Sequence, residues 1–566
     1  MKPISIYCDW ALHDELSDNV CLTEEMTMGV LDTLERWQAE HGVRFEHYLL
    51  DCFWFARPGD YRSFSPETWP NGFEPARKRM QALGMTPGLW LDVTGGMVRG
   101  HAPWADSASV DGGWCYCLFD GPYGQGLLEA MLHAVAQWGV RLFKFDFANF
   151  YAVTPRFGDL EAGEVYARNV AAFRRIVRAV HARHPDVVTL AYNAFAYMPE
   201  YIDNTTSALV PGVDPGWLDT MDYLYSGDPR PCDVPCASLR RAVDMYQDHM
   251  VRKFRASGIP FDRIDDHGCM VGRTGTIYWL GHRGWRRTWV QSLGRGSRKA
   301  HFYGDVHLLD DDDVQFLKAS RALFFNLYAA GAETQAVGGV PCQSPWHGFL
   351  AGEGRDGLLV VVNSTPGRLV AELGAEHLRT ARVLFHDEGF VPECEVSGGT
   401  LSVRLAPEQM ALVGLGRKAD EDCVLGANVG GDAVTPDSAP VQLDFAFAQG
   451  TAEAHTSAVE IMAAAERGGF DGLRLSFRLR DGGRACRHAM RRDQAVTEAL
   501  GIEVEADDRP VAPSRLVPDV KVWSGCSWAT GLYPVGELRG AREVRVRFGS
   551  PDAKARIIPE AWLQVL

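Results

Sequence analysis

Short apolar runs ending in a polar residue recur along the first 345 residues, and their spacing constrains the fold more than any other feature. The intervals between successive run ends are 42, 41, 54, 46, 36, 37 and 38 residues. Each interval accommodates one strand, one helix and two loops, and eight such units predict a closed (β/α)8 TIM barrel. The predicted strands end near Asp9, Asp51, Asp92, Asp146, Tyr192, Asp228, Asp265 and Tyr303.

Segments with helical periodicity lie between the predicted strands. Several stop just before a glycine, the residue that favours the left-handed conformation at a helix end. The acidic run 310–313 precedes the last of these segments. Because a helix N-terminus favours negative charge, we predict that this run begins a helix and is not a ligand site. The predicted helices span 24–40, 73–83, 127–138, 163–183, 237–255 and 313–330.

The helical pattern stops after about residue 346, and short alternating runs take over. This alternation is typical of antiparallel sheets with one buried face. We therefore predict a catalytic barrel over 1–345, followed by C-terminal antiparallel β-sandwich domains. They comprise an antiparallel β-domain over 346–418, a polar linker over 419–438, and a β-rich module over 439–566.

Charge and hydropathy exclude several partners. The chain has 57 basic and 73 acidic residues, a net charge of -16, so it should repel a nucleic-acid backbone. The sequence contains no run of about 18 apolar residues, so it predicts no membrane span. The first residues contain an early Asp and no apolar stretch of signal-peptide length, so we predict a cytoplasmic protein.

Thirteen cysteines are scattered along the chain, and this odd number favours reduced thiols over a disulfide framework. Two close pairs, Cys115 with Cys117 and Cys232 with Cys236, lack a second pair or a nearby histidine at the spacing of a zinc site. We predict no metal and no cofactor.

Six of the eight predicted strand ends carry Asp. A single Asp at such a place often caps a turn, but six of them would meet at the rim where (β/α)8 barrels hold their active sites. Crowded carboxylates shift one another's pKa values, which suits a site that protonates or hydrogen-bonds a ligand. Carboxylates also accept bonds from sugar hydroxyls, tryptophans can stack on sugar rings, and two carboxyl groups can cleave a glycosidic bond.

Three segments carry a family resemblance. The run LFKFDFANF (142–150) resembles the Lys-x-Asp strand that holds the nucleophile in the α-galactosidase clan of retaining glycoside hydrolases, families 36 and 27. Segments 50–61 and 69–92 are similar to that clan's Asp-Asp-Gly-Trp-Phe and Gly-Met-x-x-Gly-Leu-Trp motifs. Together the segments cover the second to fourth strands, and weaker likeness extends to about residue 330.

The resemblance implies that Asp146 is the nucleophile and that Lys144 holds a positive charge near the substrate. Period-2 geometry agrees, because it puts both side chains on one side of the strand, where an ammonium keeps a carboxylate ionised. A purely structural Lys–Asp pair inside the barrel is the alternative.

The resemblance further implies that Asp51 and Asp92 bind sugar hydroxyls. Trp54 and Trp90 would be walls of the site or part of the core, and the sequence leaves both readings open.

The acid/base is implied at the end of the sixth strand, where the chain reads LYSGDPRP (224–231) with one Gly inserted before Asp228. We predict Asp228, with Asp222 and Asp233 as alternatives. The nearby Arg230 would pair with Asp228 or bind substrate, and a cation beside the acid would oppose a raised pKa.

Two segments depart from the clan's pattern: AYNAFAYMPEY after the fifth strand and IDDHGCMVG at the seventh. Here Asn193, Asp265, Asp266 and His267 are the candidates for recognising a sugar different from galactose, and the sequence does not determine which sugar is bound.

Taken together, the sequence predicts a retaining, exo-acting α-glycoside hydrolase, α-galactosidase-like, that forms a covalent glycosyl-aspartate intermediate on an oligosaccharide or glycoside substrate. A transglycosylase of the same clan and a non-catalytic sugar-binding barrel are the alternatives. The sequence is compatible with a homo-oligomer.

Overall fold

The computed structural model describes residues 2–565 apart from several segments. Contacts divide the chain into a first unit (1–227, 253–272 and 297–318) and a second unit (228–252, 273–296 and 319–566). The segments outside the description are 14–20, 193–194, 196–213, 274–283, 354, 388–389, 421–422, 429–440, 444–445, 449–450, 457–471, 482–483, 486–501, 519–525, 527, 539–540 and 550–557.

A parallel sheet forms the centre of the first unit. Its strands lie in the order β7-β6-β5-β4-β3-β2-β1-β9-β8, and every pairing is parallel. The strands are β1 (Ile4–Cys8), β2 (His47–Leu50), β3 (Thr86–Asp92), β4 (Leu142–Asp146), β5 (Val188–Ala191), β6 (Tyr223–Tyr225), β7 (Ile264–Asp265), β8 (Cys269–Val271) and β9 (Lys299–Gly304).

The two short strands β7 and β8 are pieces of one barrel position. β7 pairs with β6 and β8 pairs with β9, and only residues 266–268 separate the two pieces. The sheet therefore curls through eight strand positions. The predicted (β/α)8 barrel is confirmed, with a seventh strand that is interrupted where His267 adopts a left-handed φ of 67°.

Helices follow the strands, with the capping that the sequence predicts. Thr23 Oγ1 accepts the Met26 amide at the start of α2, and Gly42 ends this helix with φ 67°. At α8 the Asp313 amide donates to Asp310 Oδ1 at 2.9 Å, so the acidic run does begin a helix. The helices are α1 (Trp10–His13), α2 (Glu24–His41), α3 (Glu74–Ala82), α4 (Tyr123–Trp138), α5 (Ala162–Arg183), α6 (Leu239–Ala256), α7 (Trp285–Gly294) and α8 (Asp311–Ala329).

Two β-sheets in the second unit enclose an apolar core. A six-stranded sheet, β10-β11-β12-β17-β14-β18, and a three-stranded sheet, β13-β16-β15, supply alternate inward residues such as Leu359, Val403 and Val413. The strands are β10 (Thr334–Gly338), β11 (Trp346–Glu353), β12 (Asp356–Asn363), β13 (Leu369–Gly374), β14 (Ala381–His386), β15 (Glu393–Ser397), β16 (Thr400–Leu405), β17 (Met410–Gly416) and β18 (Gly426–Ala427).

Two further sheets follow, and all their pairings are antiparallel. Their strands are β19 (Val441–Leu443), β20 (Ala446–Ala448), β21 (Thr451–Thr456), β22 (Gly472–Asp481), β23 (Arg484–Ala485), β24 (Ile502–Ala506), β25 (Arg509–Pro510), β26 (Arg515–Val517), β27 (Trp528–Pro534), β28 (Val544–Gly549) and β29 (Ile558–Val565). Among its described residues, the second unit also contains two short helices, α9 (Arg417–Asp420) and α10 (Val535–Leu538).

The predicted β-rich C-terminal region is thus confirmed, whereas the domain boundaries remain predictions. Helix α9 and strand β18 both fall partly or wholly within the predicted linker. Within the described part of the chain, none of the helices combines the length and the apolar character needed to cross a membrane.

Candidate functional site

Strand β4 shows why Lys144 and Asp146 share one face. In the sequence LFKFD, Phe143 and Phe145 alternate with the two charged residues and are fully buried. The Phe145 ring packs edge-on against Phe173 of α5, with the ring centroids 5.1 Å apart. Because successive side chains of a strand point to opposite faces, packing of Phe145 against the helix directs Lys144 and Asp146 into the barrel.

Two N–H groups hold the Asp146 carboxylate at the end of β4. The Trp90 indole Nε1 donates to Oδ2 at 3.1 Å, and the Phe147 amide donates to Oδ1 at 2.9 Å. Trp90 is in register with Lys144, and Asp92 with Asp146, across the β3–β4 pair. The Asp146 residue is only 7% exposed. Its orientation is therefore fixed by the neighbouring strand and by its own backbone.

Lys144 makes a buried ion pair with Asp51, the residue that follows β2. The Lys144 Nζ lies 2.8 Å from Asp51 Oδ2, and the Cys8 thiol also reaches this oxygen at 3.2 Å. Burial opposes both charges, but the mutual attraction outweighs it, so the pKa of Asp51 is lowered and that of Lys144 is raised. The Asp146 charge also favours the ammonium. Both members of the pair therefore remain charged.

Aromatic rings from three other strand ends surround this ammonium. Lys144 Nζ lies 4.3 Å from the Tyr192 ring centroid, 5.4 Å from that of Tyr303 and 5.6 Å from that of Trp10. The Tyr192 and Tyr303 hydroxyls are hydrogen-bonded to each other. The rings offer flat walls and cation–π contacts beside the carboxylates. The sequence pattern predicts Tyr192 and Tyr303 only as strand ends and gives no local signal for their place in the site.

Asp92 lies at the end of β3, beside Asp146. Its carboxylate accepts the backbone amides of Thr94, Gly95 and Met97 at 3.1, 3.1 and 2.8 Å. Burial nevertheless dominates, and together with the Asp146 charge it raises the pKa of Asp92 to about 7. A protonated Asp92 relieves Asp146 of a like charge.

This shift predicts a pH-dependent stability. The pKa of Asp92 is about 7 in the folded chain and near 3.9 when unfolded, so the folded chain binds more protons between these values. Protonation of Asp92 therefore stabilises the folded chain at low pH, and this stabilisation is lost as pH rises through 7. From pH 5 to pH 8, wild type should lose about 3 kcal/mol of unfolding free energy relative to Asp92→Asn. Urea unfolding of both proteins at each pH measures this difference, and a difference independent of pH would contradict the assignment.

A second buried lysine pairs with the predicted Asp265. Lys299 Nζ lies 2.7 Å from Asp265 Oδ1, which also accepts the His267 amide at 3.0 Å. Burial, with the Lys144 and Lys299 charges, lowers the pKa of His267 well below its usual value, so its ring is neutral. The neighbouring Asp266 accepts the Gly268 amide at 3.1 Å. Asp265 and His267 thus lie on the interrupted seventh strand.

The two predicted tryptophans and Asn193 do not all lie in the site. Trp54 is fully buried among Phe64 and Trp138, and its indole N–H donates to the Trp90 carbonyl at 3.0 Å, which favours the core alternative. Trp90 is also buried, but it contacts Asp146 directly. Asn193 lies outside the described residues.

The predicted acid/base and its neighbour belong to the second unit. Strand β6 ends at Tyr225, so Asp228 lies three residues beyond the strand rather than at its last residue. Asp228 is half-buried and Arg230 is fully buried. The alternative Asp222 accepts both the amide and the hydroxyl of Thr189, at 2.8 and 2.9 Å. The role of Asp228 remains a prediction.

Sequence comparison identifies no relative, since neither a family model nor a curated protein matches the chain. Solved structures do match. An α-galactosidase from Lactobacillus brevis is similar over 72% of this chain and 55% of its own, with 12% identity and a TM-score of 0.51. A family 36 α-galactosidase from Geobacillus stearothermophilus, in complex with raffinose, is similar over 73% and 56%, with 13% identity and a TM-score of 0.48.

A putative α-galactosidase/melibiase from Bacteroides fragilis is similar over 73% of this chain and 79% of its own, with 15% identity and a TM-score of 0.45. The chain spans about half the length of the first two structures. At these identities the likeness concerns the fold. The chain therefore shares the fold of the Lactobacillus brevis α-galactosidase, which confirms the α-galactosidase-clan fold that its strand motifs indicate.

Proposed function

We propose that the chain is a retaining, exo-acting α-glycoside hydrolase of the α-galactosidase type. The observation that supports this most is the position of the Asp146 carboxylate at the C-terminal end of β4. Trp90 fixes this carboxylate by a hydrogen bond, and Lys144 of the same strand forms a buried ion pair with Asp51. In (β/α)8 barrels, catalytic groups sit at this end of the strands. The shared fold adds support, because the clan's nucleophile lies on a Lys-x-Asp strand.

The proposed reaction proceeds in two displacements. Asp146 attacks the anomeric carbon while the bond to the leaving oxygen breaks, and Asp228 gives that oxygen a proton. This step yields a glycosyl ester on Asp146 and the free aglycone. Asp228 then takes a proton from water, whose oxygen attacks the anomeric carbon and releases Asp146. Two inversions leave the configuration of the sugar unchanged.

The other predicted residues receive binding roles. Asp51 and Lys144 present a fixed carboxylate oxygen and ammonium to sugar hydroxyls, while Asp92 accepts or donates according to its protonation. Asp265 and His267 are proposed to recognise a second part of the ring. Asn193 and Arg230 are proposed to contact substrate from their loops.

The proposed substrate is a glycoside with a terminal α-linked sugar. The strand motifs resemble those of the α-galactosidase clan, so an α-galactoside is the first candidate to test. We further propose a cytoplasmic location and no cofactor.

A screen of activated aryl α-glycosides tests the proposal. Galactose, N-acetylgalactosamine, arabinose and glucose are the glycons, and proton NMR follows the anomeric configuration of the first product. We expect release of the α-anomer from one of them. First release of the β-anomer would contradict the retaining mechanism. If a sugar acceptor captures most of the product even when dilute, the chain is a transglycosylase, and no turnover at all would favour the sugar-binding alternative.

A further inference from the structure

Exposed aromatic side chains lie on two hydrogen-bonded loops of the first unit. Among the described residues, the three most exposed aromatics are Trp114 at 61%, Phe147 at 44% and Tyr151 at 36%. Val110 is exposed on the same loops, at 53%. The loops that carry them follow β3 and β4, the strands that end at Asp92 and Asp146. Large apolar surface exposed together in this way usually marks a binding site.

Both loops adjoin the proposed catalytic carboxylates. Phe147 directly follows Asp146, and its ring lies edge-on to Trp90 with the centroids 5.6 Å apart. Gly96 lies between the Trp114 backbone and the Asp92 carboxylate. A Cβ on this glycine would lie 3.0 Å from the Trp114 carbonyl oxygen and 3.3 Å from Asp92 Oδ2. The backbone of Trp114 therefore passes beside the Asp92 carboxylate.

Hydrogen bonds join the two loops into one surface. Thr94 Oγ1, on the loop after β3, donates to the Phe147 carbonyl at 2.9 Å, and within the same loop the Thr94 carbonyl accepts the Tyr116 amide at 2.7 Å. Farther out, the Asn149 side chain donates to Cys115 Sγ at 3.3 Å, and the Val110 amide donates to the Val153 carbonyl at 2.9 Å. A surface held in place before binding loses little entropy when a ligand docks.

The Trp114 ring has a polar group on one face. The Arg99 guanidinium carbon lies 4.4 Å from the ring centroid, and the arginine side chain is itself exposed. Stacking of this kind pairs a flat apolar surface with N–H donors. An apolar face combined with donors at its edge fits a pyranose, which has C–H groups on its faces and hydroxyls around its rim.

We propose that Trp114, Phe147 and Tyr151 form a platform for the leaving-group sugar of an oligosaccharide substrate, with Arg99 donating to its hydroxyls. This inference rests on the proposed function, because the leaving group is defined by cleavage at Asp146. The platform makes the chain an oligosaccharide hydrolase rather than an enzyme for small glycosides. Binding energy from this remote ring would be used to orient the scissile bond.

Two substrates with the same glycon test the platform in the full chain. Raffinose places a sugar on the leaving-group side, whereas α-galactosyl fluoride carries only a fluorine atom there. If the screen of aryl glycosides selects another glycon, a trisaccharide and a glycosyl fluoride of that glycon replace these two substrates. In Trp114→Ala, KM for the trisaccharide should rise about fivefold to tenfold, the loss of one aromatic contact. KM for the fluoride should stay within about twofold. Tyr151→Ala should act in the same direction, and Val391→Ala removes a matched exposed apolar side chain in the second unit.

The outcomes separate the platform from the proposed function. Equal changes in KM for both substrates, or none, would overturn the platform while leaving hydrolysis established. If wild type hydrolyses neither substrate, the proposed function fails. Calorimetric titration of the trisaccharide then tests the platform as a sugar-binding surface. Binding that Trp114→Ala weakens supports the platform, while absent or unchanged binding overturns it. A change in oligomeric state without a change in KM would identify the surface as an interface between copies of the chain.

Discussion

Replacing Asp146 with asparagine is expected to lower turnover of an activated aryl α-glycoside by at least about 10³-fold. An amide oxygen is a poor nucleophile and cannot form the glycosyl ester. The fold should survive, because the side-chain oxygen of asparagine can still accept an N–H from Trp90 or from the Phe147 amide. Initial rates at saturating substrate, together with circular dichroism of both proteins, measure the two effects.

Asp186→Asn is the matched control. This carboxylate lies just before β5, at the opposite end of the strands from Asp146, and pairs with Arg141 at 2.7 Å on the surface. The same chemical change there should leave turnover unaltered. In Asp146→Ala, a small external anion such as azide can occupy the vacated space and attack the anomeric carbon, so we expect partial rescue with a β-glycosyl azide as product. A near-normal rate in Asp146→Asn would remove Asp146 from the mechanism.

Removing the Lys144 ammonium is expected to destabilise the folded chain by about 3–5 kcal/mol, because Lys144→Met leaves the Asp51 carboxylate buried without its cation. Both side chains of this pair are almost fully buried. The loss should shrink as pH falls, since protonation of Asp51 then relieves the variant of a buried charge. Equilibrium unfolding in urea, at pH 7 and at pH 5, gives the free energies to compare.

The double variant Lys144→Met with Asp51→Asn should recover much of this loss, since neither charge remains. Arg141→Met breaks a partly exposed pair on the same unit, in which Arg141 also donates to the Val135 and Val140 carbonyls, and should cost less, about 1–2 kcal/mol. If Lys144→Met were as mild as Arg141→Met, the two residues would not form a buried pair in solution.

Local patterns in the sequence were sufficient for most of the barrel. The alternation in LFKFD predicts which residues of β4 face inward, and Gly42 predicts the end of α2. The hydropathy pattern does not predict helix α7, because all of its residues are buried, polar ones such as Arg287 and Gln291 included, so no exposed polar face alternates with an apolar one. Its buried Arg287 bonds to Asp244 and Asp387, and these acids are distant in sequence. The break in the seventh strand likewise depends on pairing with two different neighbours.

The site was predictable only where one strand carries it. Lys144 and Asp146 are two residues apart, so period 2 brings them together without knowledge of the fold. The Asp51 partner of Lys144 is 93 residues away, and the bonded hydroxyls of Tyr192 and Tyr303 are 111 residues apart. Such contacts arise from closure of the barrel, which no local pattern describes.

The most direct test of the account is the mass of the Asp146 peptide after reaction with a slow, activated fluorosugar that carries a good leaving group. The electron-withdrawing fluorine slows hydrolysis of the ester, so the intermediate should accumulate. After acid quenching and digestion, we expect one glycosyl unit on Asp146, and none in Asp146→Asn. A label on another carboxylate, or steady hydrolysis of aryl glycosides with no label on any peptide, would contradict it.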